Sequence, residues 1–253
     1  MSVAYASGYT WRGRSSEWGQ LVYASRGVLT IHTEAGLWVV PPYQAVWVPA
    51  RVRHHVEMAG RVLLRALYLN ASLQPRLPAT CRVVHVSPLL RELLRRAMQL
   101  RTLDRRKKEE GHVLDVLLDE LTVLPLAPVD LPIPRDLRGL RAATLVRGAP
   151  SGRHSLAEVS RHSGASPRTL ERIFRTETGL AFGAWRQRAR LLRGLQLLAE
   201  GKPVTRTAVE VGYDSTSAFI AAFRRAFGTT PGQYFREARA LEEGTVEGIG
   251  SRA

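Results

Sequence analysis

The sequence has few of the features that stabilise secreted proteins or anchor proteins in membranes. Cys81 is the single cysteine among 253 residues, which excludes an intrachain disulfide and a cysteine-based zinc site. No apolar run approaches the roughly 20 residues that a membrane-spanning helix needs. The first residues also lack the charged-then-apolar layout of a signal peptide. We therefore expect a cytoplasmic protein that makes no use of a membrane.

Lysine is also scarce. Only Lys107, Lys108 and Lys202 are lysines among 37 basic residues, which stand against 22 acidic ones for a formal net charge of +15. Such a balance favours polyanionic partners, because neutralising phosphates releases counterions. From Arg135 onward there are 20 basic and 11 acidic residues, compared with 17 and 11 before it. Because the arginine bias spans both halves, GC-rich coding explains it better than base recognition does.

Catalytic and metal-binding patterns are missing as well. Nothing resembles a nucleophile elbow, a phosphate-cradling glycine loop or a paired-carboxylate site. His54 and His55 are adjacent, so on a strand they point to opposite faces, and we expect one to be buried and the other to face solvent. The remaining histidines have no partner at i+4 or in an H-x-H pattern. The sequence thus predicts no catalytic residue, no metal site and no cofactor.

What the sequence does contain is a helix-turn-helix pattern that occurs twice in its last hundred residues. In the first copy Gly164 supplies the turn, and Ser166 followed by Pro167 predicts the N-cap and first position of a second helix that ends at Gly179. The inward residues of this helix follow the i, i+3, i+4 rule: Leu170, Ile173 and Phe174. Its outward face is polar and mostly cationic and supplies the first candidates for DNA contact: Arg168, Thr169, Glu171, Arg172 and Arg175.

The second copy runs from Val204 to Gly228, and its turn residue Gly212 follows Gly164 at a separation of 48 residues. This spacing indicates an internal duplication. An aromatic stripe faces inward on its second helix: Phe219, Phe223 and Phe227. The outward candidates for DNA contact are Thr216, Ser217, Arg224 and Arg225.

A connector joins the two copies. Residues 182–200 contain no proline and repeat apolar residues at helical intervals, which predicts one continuous helix. A helix of about 20 residues is about 30 Å long, close to the roughly 34 Å of one turn of B-DNA. Such a connector could set two recognition helices in successive major grooves.

The densest part of the second copy resembles the signature of the AraC/XylS family of transcription regulators. The matching residues are Gly212-Tyr213-Asp214-Ser215, Ser217-Ala218-Phe219, Phe223 to Gly228, Thr230-Pro231 and Tyr234. The resemblance covers residues 135–236 and implies a seven-helix domain that binds double-stranded promoter DNA, preceded by a sensing or dimerising domain. It also implies contact with RNA polymerase if the protein is an activator. One departure is Ala221, where many members carry a basic residue, so the first recognition helix is expected to carry most of the specificity.

The first half has a different composition. Residues 18–69 are rich in valine, tryptophan and tyrosine, with turn signals at Glu34-Ala35-Gly36, Pro41-Pro42 and Pro49, which predicts a small antiparallel β-barrel. The spacing of Gly36, Pro42, Pro49 and His54 resembles the second motif of the cupins. Arg14, Ser16 and Gln20 stand where cupin enzymes have two histidines and a glutamate. The barrel could still bind a small-molecule effector through aromatic and polar residues: Arg14, Gln20, Tyr23, Trp38, Trp47, His54 and Tyr68.

Two leucine-striped helices are predicted between residues 88 and 126. One stripe consists of Leu90, Leu93, Leu94, Ala97 and Leu100, and the other of Leu114, Leu117, Leu118, Leu121 and Leu124. They could pack on the barrel or pair two chains, and the family resemblance favours a two-fold homodimer. The fold class is thus α+β with several domains. The expected boundaries are a cupin-like sensing domain at 1–80, a helical dimerisation segment at 81–127, a proline-rich linker at 128–134, a DNA-binding domain at 135–240 and a flexible tail at 241–253.

These observations together predict a sequence-specific DNA-binding transcription regulator rather than an enzyme. Two alternatives remain open at the level of sequence. One is a cupin-type enzyme acting on a small molecule. The other is a DNA-binding protein without sequence preference, which the basic composition alone would also explain.

Overall fold

The computed structural model describes residues 2–13, 16–42, 44–100, 102–123, 129–149 and 154–236. Within that part of the chain there are two compact units. The first, called the sheet unit, combines the residues up to 33 with residues 38–130. The second, called the helical unit, combines residues 34–37 with the residues from 131 onward.

The sheet unit is antiparallel and is organised around two strands of 15 residues each. The described strands, in chain order, are β1 Ser2–Tyr5, β2 Thr10–Arg12, β3 Gly19–Thr33, β4 Gly36–Val40, β5 Gln44–Val48, β6 His55–Leu69, β7 Arg82–His85 and β8 Asp130–Pro132. β6 pairs with β1, β2 and β3, and β5 lies between β3 and β7. The predicted hairpin at Glu34-Ala35-Gly36 and the predicted turn at Pro41-Pro42 are both confirmed.

The two faces of β3 have different neighbours. Leu21 and Tyr23 point toward the same side as Trp47 of β5, and this face belongs to a hydrophobic core. Gly19 is required on that face, since an added Cβ would lie only 2.1 Å from the Trp47 ring. Gln20 is buried on the opposite face, where it is paired in register with Tyr68. Between Ala24 and Val28 the pairing with β6 shifts at irregularities of the β-bulge type.

Two helices cover the core face of the sheet: α1, Pro88–Leu100, and α2, Lys108–Val123. The buried leucines of the two predicted stripes lie in the same core as Tyr23 and Trp47: Leu90, Leu94, Leu114, Leu117, Leu118 and Leu121. Leu124, also predicted for the second stripe, lies outside the described residues. The stripes therefore pack within their own chain.

The predicted linker is an ordered segment over its described part. Val129 and Leu131 are buried, and the Val129 carbonyl accepts a hydrogen bond from the Val39 N–H at 2.9 Å. Ile133 donates its N–H to the Ala35 carbonyl at 3.3 Å. Because prolines occupy positions 132 and 134 on either side of it, the Ile133 N–H is the one that remains available for strand pairing there. Residue 128 and the tail from 241 onward lie outside the described residues.

The helical unit contains six helices with complete bounds: α3 Leu137–Gly148, α4 Leu156–Ser163, α5 Pro167–Thr178, α6 Phe182–Ala199, α7 Val204–Glu210 and α8 Thr216–Phe227. Residues 231–236 are also helical, in keeping with the seven helices that the family resemblance implies. An antiparallel sheet with two helices packed on it, followed by a mainly helical unit, confirms the predicted fold class. Among the described residues, no helix combines the length and the apolar composition that crossing a bilayer requires.

Candidate nucleic-acid interface

The first helix-turn-helix is formed by α4 and α5, and capping interactions fix its turn. Ser155 and Glu158 form a capping box at the start of α4, and Gly164 ends that helix in the left-handed conformation with φ 71°. The Ser155 backbone N–H and hydroxyl hold the pKa of the Glu158 carboxyl below its ordinary value. The Ser166 side chain then accepts from the Thr169 N–H, and Pro167 occupies the first turn of α5. The chain therefore leaves α4 and enters α5 at defined residues.

The second helix-turn-helix, α7 and α8, repeats this construction. Ser215 caps α8 as Ser166 caps α5, and Gly228 ends α8 as Gly179 ends α5, both at a separation of 49 residues. The turn glycines Gly164 and Gly212 are both left-handed and are 48 residues apart. The second turn is thus one residue longer than the first. The duplication predicted from the sequence is present in the caps as well as in the residue pattern.

Each recognition helix is held by an aromatic core. Phe174 is fully buried, and its ring makes edge-on contacts with Phe182 and Trp185. In the second copy Phe219 and Phe223 are fully buried and in ring contact, and Phe227 packs edge-on against Phe223. These rings fix which side of each helix faces outward.

The connector α6 is one continuous helix of 18 residues. At about 1.5 Å per residue it is about 27 Å long. It packs closely on the second copy, since an added Cβ on Gly194 would lie 3.1 Å from the Phe219 ring. Near the start of α6, the Trp185 indole N–H donates a hydrogen bond to the Pro132 carbonyl at 2.8 Å, which fixes that end of the helix.

The predicted DNA-contact residues of α5 differ in whether their side chains already bind other residues of the protein. Arg168 and Arg172 are exposed, lie four residues apart on one face and, within the described part of the chain, have no ion-pair partner. Arg175 is exposed but donates to Glu171 Oε1 at 3.0 Å. Thr169 is half-buried, with its hydroxyl 2.9 Å from that of Ser166. Two unpaired guanidinium groups therefore dominate the outer face of α5.

Glu171 has a structural role that its position in the sequence left undecided. Its Oε2 accepts from the Phe182 N–H at 3.1 Å, at the start of α6. Ala181, the N-cap residue of α6, supplies no side-chain hydrogen bond. Because the first N–H groups of a helix lack internal partners, the Glu171 carboxylate acts as the missing cap. Both of its oxygens are thus engaged by the protein.

On α8 the arginines stand in the last turn, whereas α5 also carries them at its start and middle. A shallow depression there is lined by Ser217, Ile220, Ala221, Arg224, Arg225, Gly228 and Thr230. Ser217 and the two arginines are exposed, whereas Thr216 is half-buried. Ala221 corresponds by the 49-residue separation to Arg172 of α5. The second helix therefore presents a hydroxyl and an apolar surface at the positions where the first presents guanidinium groups.

The effector-pocket candidates of the sheet unit do not come together as one set. Tyr23 and Trp47 belong to the core shared with α1 and α2, and the Trp47 indole N–H donates to the Pro78 carbonyl at 2.7 Å. Gln20 and Tyr68 lie on the other face of the sheet, with Tyr68 exposed. Trp38 is buried in β4. Arg14 lies outside the described residues.

The two adjacent histidines differ in exposure, as predicted. His54 is buried, its Nδ1 lies 3.0 Å from the Val52 carbonyl, and its ring is 5.8 Å from that of Trp11. The His55 side chain is 44% exposed. The alternation of faces expected for neighbouring residues at a strand accounts for the difference.

Comparisons with known proteins agree with this architecture. The sequence matches the helix-turn-helix domain family over residues 159–237. It is 35% identical over 216 residues to the HTH-type transcriptional regulator NimR of Escherichia coli K12, covering 85% of this chain and 79% of that protein. It is 39% identical over 77 residues to the regulatory protein SoxS of the same organism, covering 30% of this chain and 72% of SoxS.

Among solved structures, a DNA-binding transcriptional dual regulator from Escherichia coli K-12 is similar at 30% identity, with a TM-score of 0.37, over 41% of this chain and 93% of that one. The similarity to NimR extends over most of both proteins, and the duplicated helix-turn-helix carries the family signature. The chain therefore belongs to the AraC/XylS family of DNA-binding transcription regulators.

Proposed function

We propose that the protein regulates transcription by placing α5 and α8 in successive major grooves on one face of promoter DNA. The observation that carries this proposal is the pair of identically capped helices joined by one continuous helix. The connector length of about 27 Å is of the same order as the roughly 34 Å between successive major grooves. Relatives of this family are bacterial, so the expected compartment is the cytoplasm, where bacterial DNA lies.

Within this proposal the contact residues have different roles. Arg168 and Arg172 reach base edges, because they are exposed and unpaired near the start and middle of α5. A guanidinium group pairs well with guanine. Arg175, Arg224 and Arg225 lie in the last turns and hold phosphates. Ser217 and Thr216 make the remaining polar contacts, and Glu171 serves the protein rather than the DNA.

The test begins with duplexes selected from a random pool by the full-length protein. Affinity is then measured on the selected site and on a scrambled duplex at the same salt concentration. Arg172→Ala should weaken binding to the selected site by about 1–3 kcal/mol and reduce the preference over the scrambled duplex. The matched control is Arg141→Ala, which removes an exposed arginine of α3 from the same unit. Equal losses for both variants would refute a base-reading role for Arg172.

The two-groove arrangement has its own test. Inserting about five base pairs between the two protected halves of the site places them on opposite faces of the duplex, since one turn is about 10–10.5 base pairs. A rigid connector then permits only one helix to bind at a time, so affinity should fall sharply, and a full-turn insertion should not restore it. Unchanged affinity with either insertion would refute bipartite recognition by one chain.

We also propose a homodimer formed through the sheet unit. The exposed sides of its helices carry Leu89, 52% exposed, and Val116, 43% exposed, while the buried stripes are used within the chain. A two-fold dimer is the default for a regulator of this kind. Sedimentation of the full-length protein should show a dimer that Leu89→Asp or Val116→Asp weakens. A wild-type monomer at micromolar concentration would contradict the proposal.

Sensing of a small molecule by the sheet unit stays a prediction. Tyr23 and Trp47 are no longer candidates for contact with an effector, because they are core residues beneath the helices. Gln20 and His54 are the buried polar candidates that the structure leaves in place. No observation favours a catalytic role for the sheet unit, and we propose none.

A further inference from the structure

Three polar side chains meet at one end of the β3–β6 pair, although they are distant in the sequence. His32 is directly opposite His55 in the antiparallel register, and Glu57 lies two residues beyond His55 on the same face of β6. The imidazole rings of the two histidines are stacked, with centroids 4.2 Å apart and planes 9° apart. Pairing between neighbouring strands thus holds two imidazoles and a carboxylate at one place.

The donor atoms are close enough to share one ion. His32 Nε2 lies 3.2 Å from Glu57 Oε2, and His55 Nε2 lies 3.9 Å from Glu57 Oε1. One ligand atom from each residue can be chosen so that all lie within 4.8 Å of one another. Ligand atoms bonded at about 2.0 Å around a tetrahedral zinc ion are about 3.3 Å apart. The lone pair of each histidine nitrogen lies in its ring plane, and the two planes are nearly parallel, so the rings would have to turn out of their stacked arrangement for all three atoms to hold one ion.

The environment of His32 also favours a ligand role. Its side chain is only 16% exposed, and its Nε2 is buried without a hydrogen bond even though the Glu57 carboxylate is near. A buried polar atom without a hydrogen bond is uncommon and calls for an explanation such as a bound ion. His55 and Glu57 are each about half-exposed, at 44% and 48%, so an ion can reach the site from solvent.

We propose that His32, His55 and Glu57 form a binding site for a divalent transition-metal ion of the zinc type. Two imidazoles and one carboxylate are a known ligand set for zinc, with the fourth position left to water or another ligand. This set is not the cupin-type arrangement that the sequence resembles, because His54 takes no part in it. The site belongs to the sheet unit alone, so its existence does not depend on how the helical unit binds DNA.

The test uses the full-length protein without an affinity tag, since a polyhistidine tag binds the same ions. The protein is stripped with a chelator and titrated with zinc chloride by calorimetry. Cobalt chloride is added in parallel, because absorption by bound cobalt reports a tetrahedral site. We expect one equivalent per chain, and at least a tenfold loss of affinity in His55→Ala and in Glu57→Gln, since even indirect partners of a metal contribute about 10–100-fold.

His85→Ala is the matched control, because His85 is an exposed histidine in the same unit, on β7. It should leave the affinity unchanged. His32→Ala should also lower the affinity at least tenfold, and its thermal transition shows whether the variant is folded. Because His55 and Glu57 are exposed, their variants keep the test decisive even if His32→Ala unfolds. Absence of stoichiometric zinc binding by the wild type, or binding that His55→Ala leaves intact, would overturn the proposal.

Discussion

Replacing Glu171 with alanine tests whether this residue supports the connector helix or reads a base. The carboxylate accepts a hydrogen bond from the Phe182 N–H at 3.1 Å, and α6 has no other side-chain cap at its start. Losing an N-cap side chain costs about 1 kcal/mol. The loss of a negative charge at a helix N-terminus adds about 0.3–1 kcal/mol. Because the Glu171 side chain is 41% exposed, we expect the total to lie near the lower end, at about 1–1.5 kcal/mol.

The assay for stability is calorimetry of the full-length protein, in which the melting temperature should fall by about 2–4 °C, the shift expected from about 1 kcal/mol in a chain of this size. Arg175→Ala is the matched control. It removes the ion pair on Oε1 but leaves the bond from Phe182, and an exposed i, i+4 pair contributes only about 0.3–0.5 kcal/mol. Its melting temperature should therefore change much less.

The same variants are then compared on a panel of duplexes in which each base pair of the selected site is replaced in turn. If Glu171 is a cap, Glu171→Ala keeps the wild-type order of preference at every position, although overall affinity falls. If Glu171 instead accepts from a cytosine amino group, the preference at one C·G pair disappears. An unchanged melting temperature together with a lost preference would refute the capping argument.

Three further predictions concern packing, thiol chemistry and charge. Gly194→Ala should lower the melting temperature, because the new Cβ would lie 3.1 Å from the Phe219 ring, which is fully buried. The control is Gly183→Ala in the same helix, where a new Cβ meets no atom within 4 Å and should stabilise the protein by up to about 1 kcal/mol. Equal shifts in the two variants would contradict this packing. Burial raises the pKa of the Cys81 thiol to about 11, so its thiolate is almost absent below that pH. Alkylation at pH 8 should therefore be roughly a hundredfold slower than in the unfolded chain, and a native rate equal to the unfolded one would show the thiol to be accessible and ionised. Ala221→Arg adds a cation at the position equivalent to Arg172, so it should strengthen DNA binding at low salt, and an unchanged affinity on every duplex would mean that this face of α8 does not approach DNA.

The helical unit was largely predictable because its information is local. Capping serines, turn glycines and apolar residues at helical intervals define α5 and α8 within short stretches, and the structure has them at the predicted residues. The role of Glu171 was not decided by the same reasoning. Glu171 lies on the outer face of α5 together with the residues proposed to read bases. The structure shows its capping role because α6, which begins eleven residues later, has no side-chain cap of its own.

The sheet unit was less predictable because its contacts depend on the register of distant strands. The alternation of Gln20 and Tyr23 shows that they face opposite ways but not which face the helices cover. β1, β2 and β7 are only three or four residues long and carry little periodicity. His32 and His55 likewise meet only through pairing between β3 and β6. A search for nearby histidine pairs in the sequence therefore could not find them.

The continuity of α6 limits how this regulator can diverge. One residue inserted into that helix would turn everything beyond it by about 100°, and with Trp185, Leu192 and Leu195 buried the surrounding cores could not follow. Exposed side chains such as Arg172 and Ser217 can be exchanged without that penalty. Descendants of this chain should therefore acquire new base preferences readily, while the distance between the two halves of their binding sites remains inherited.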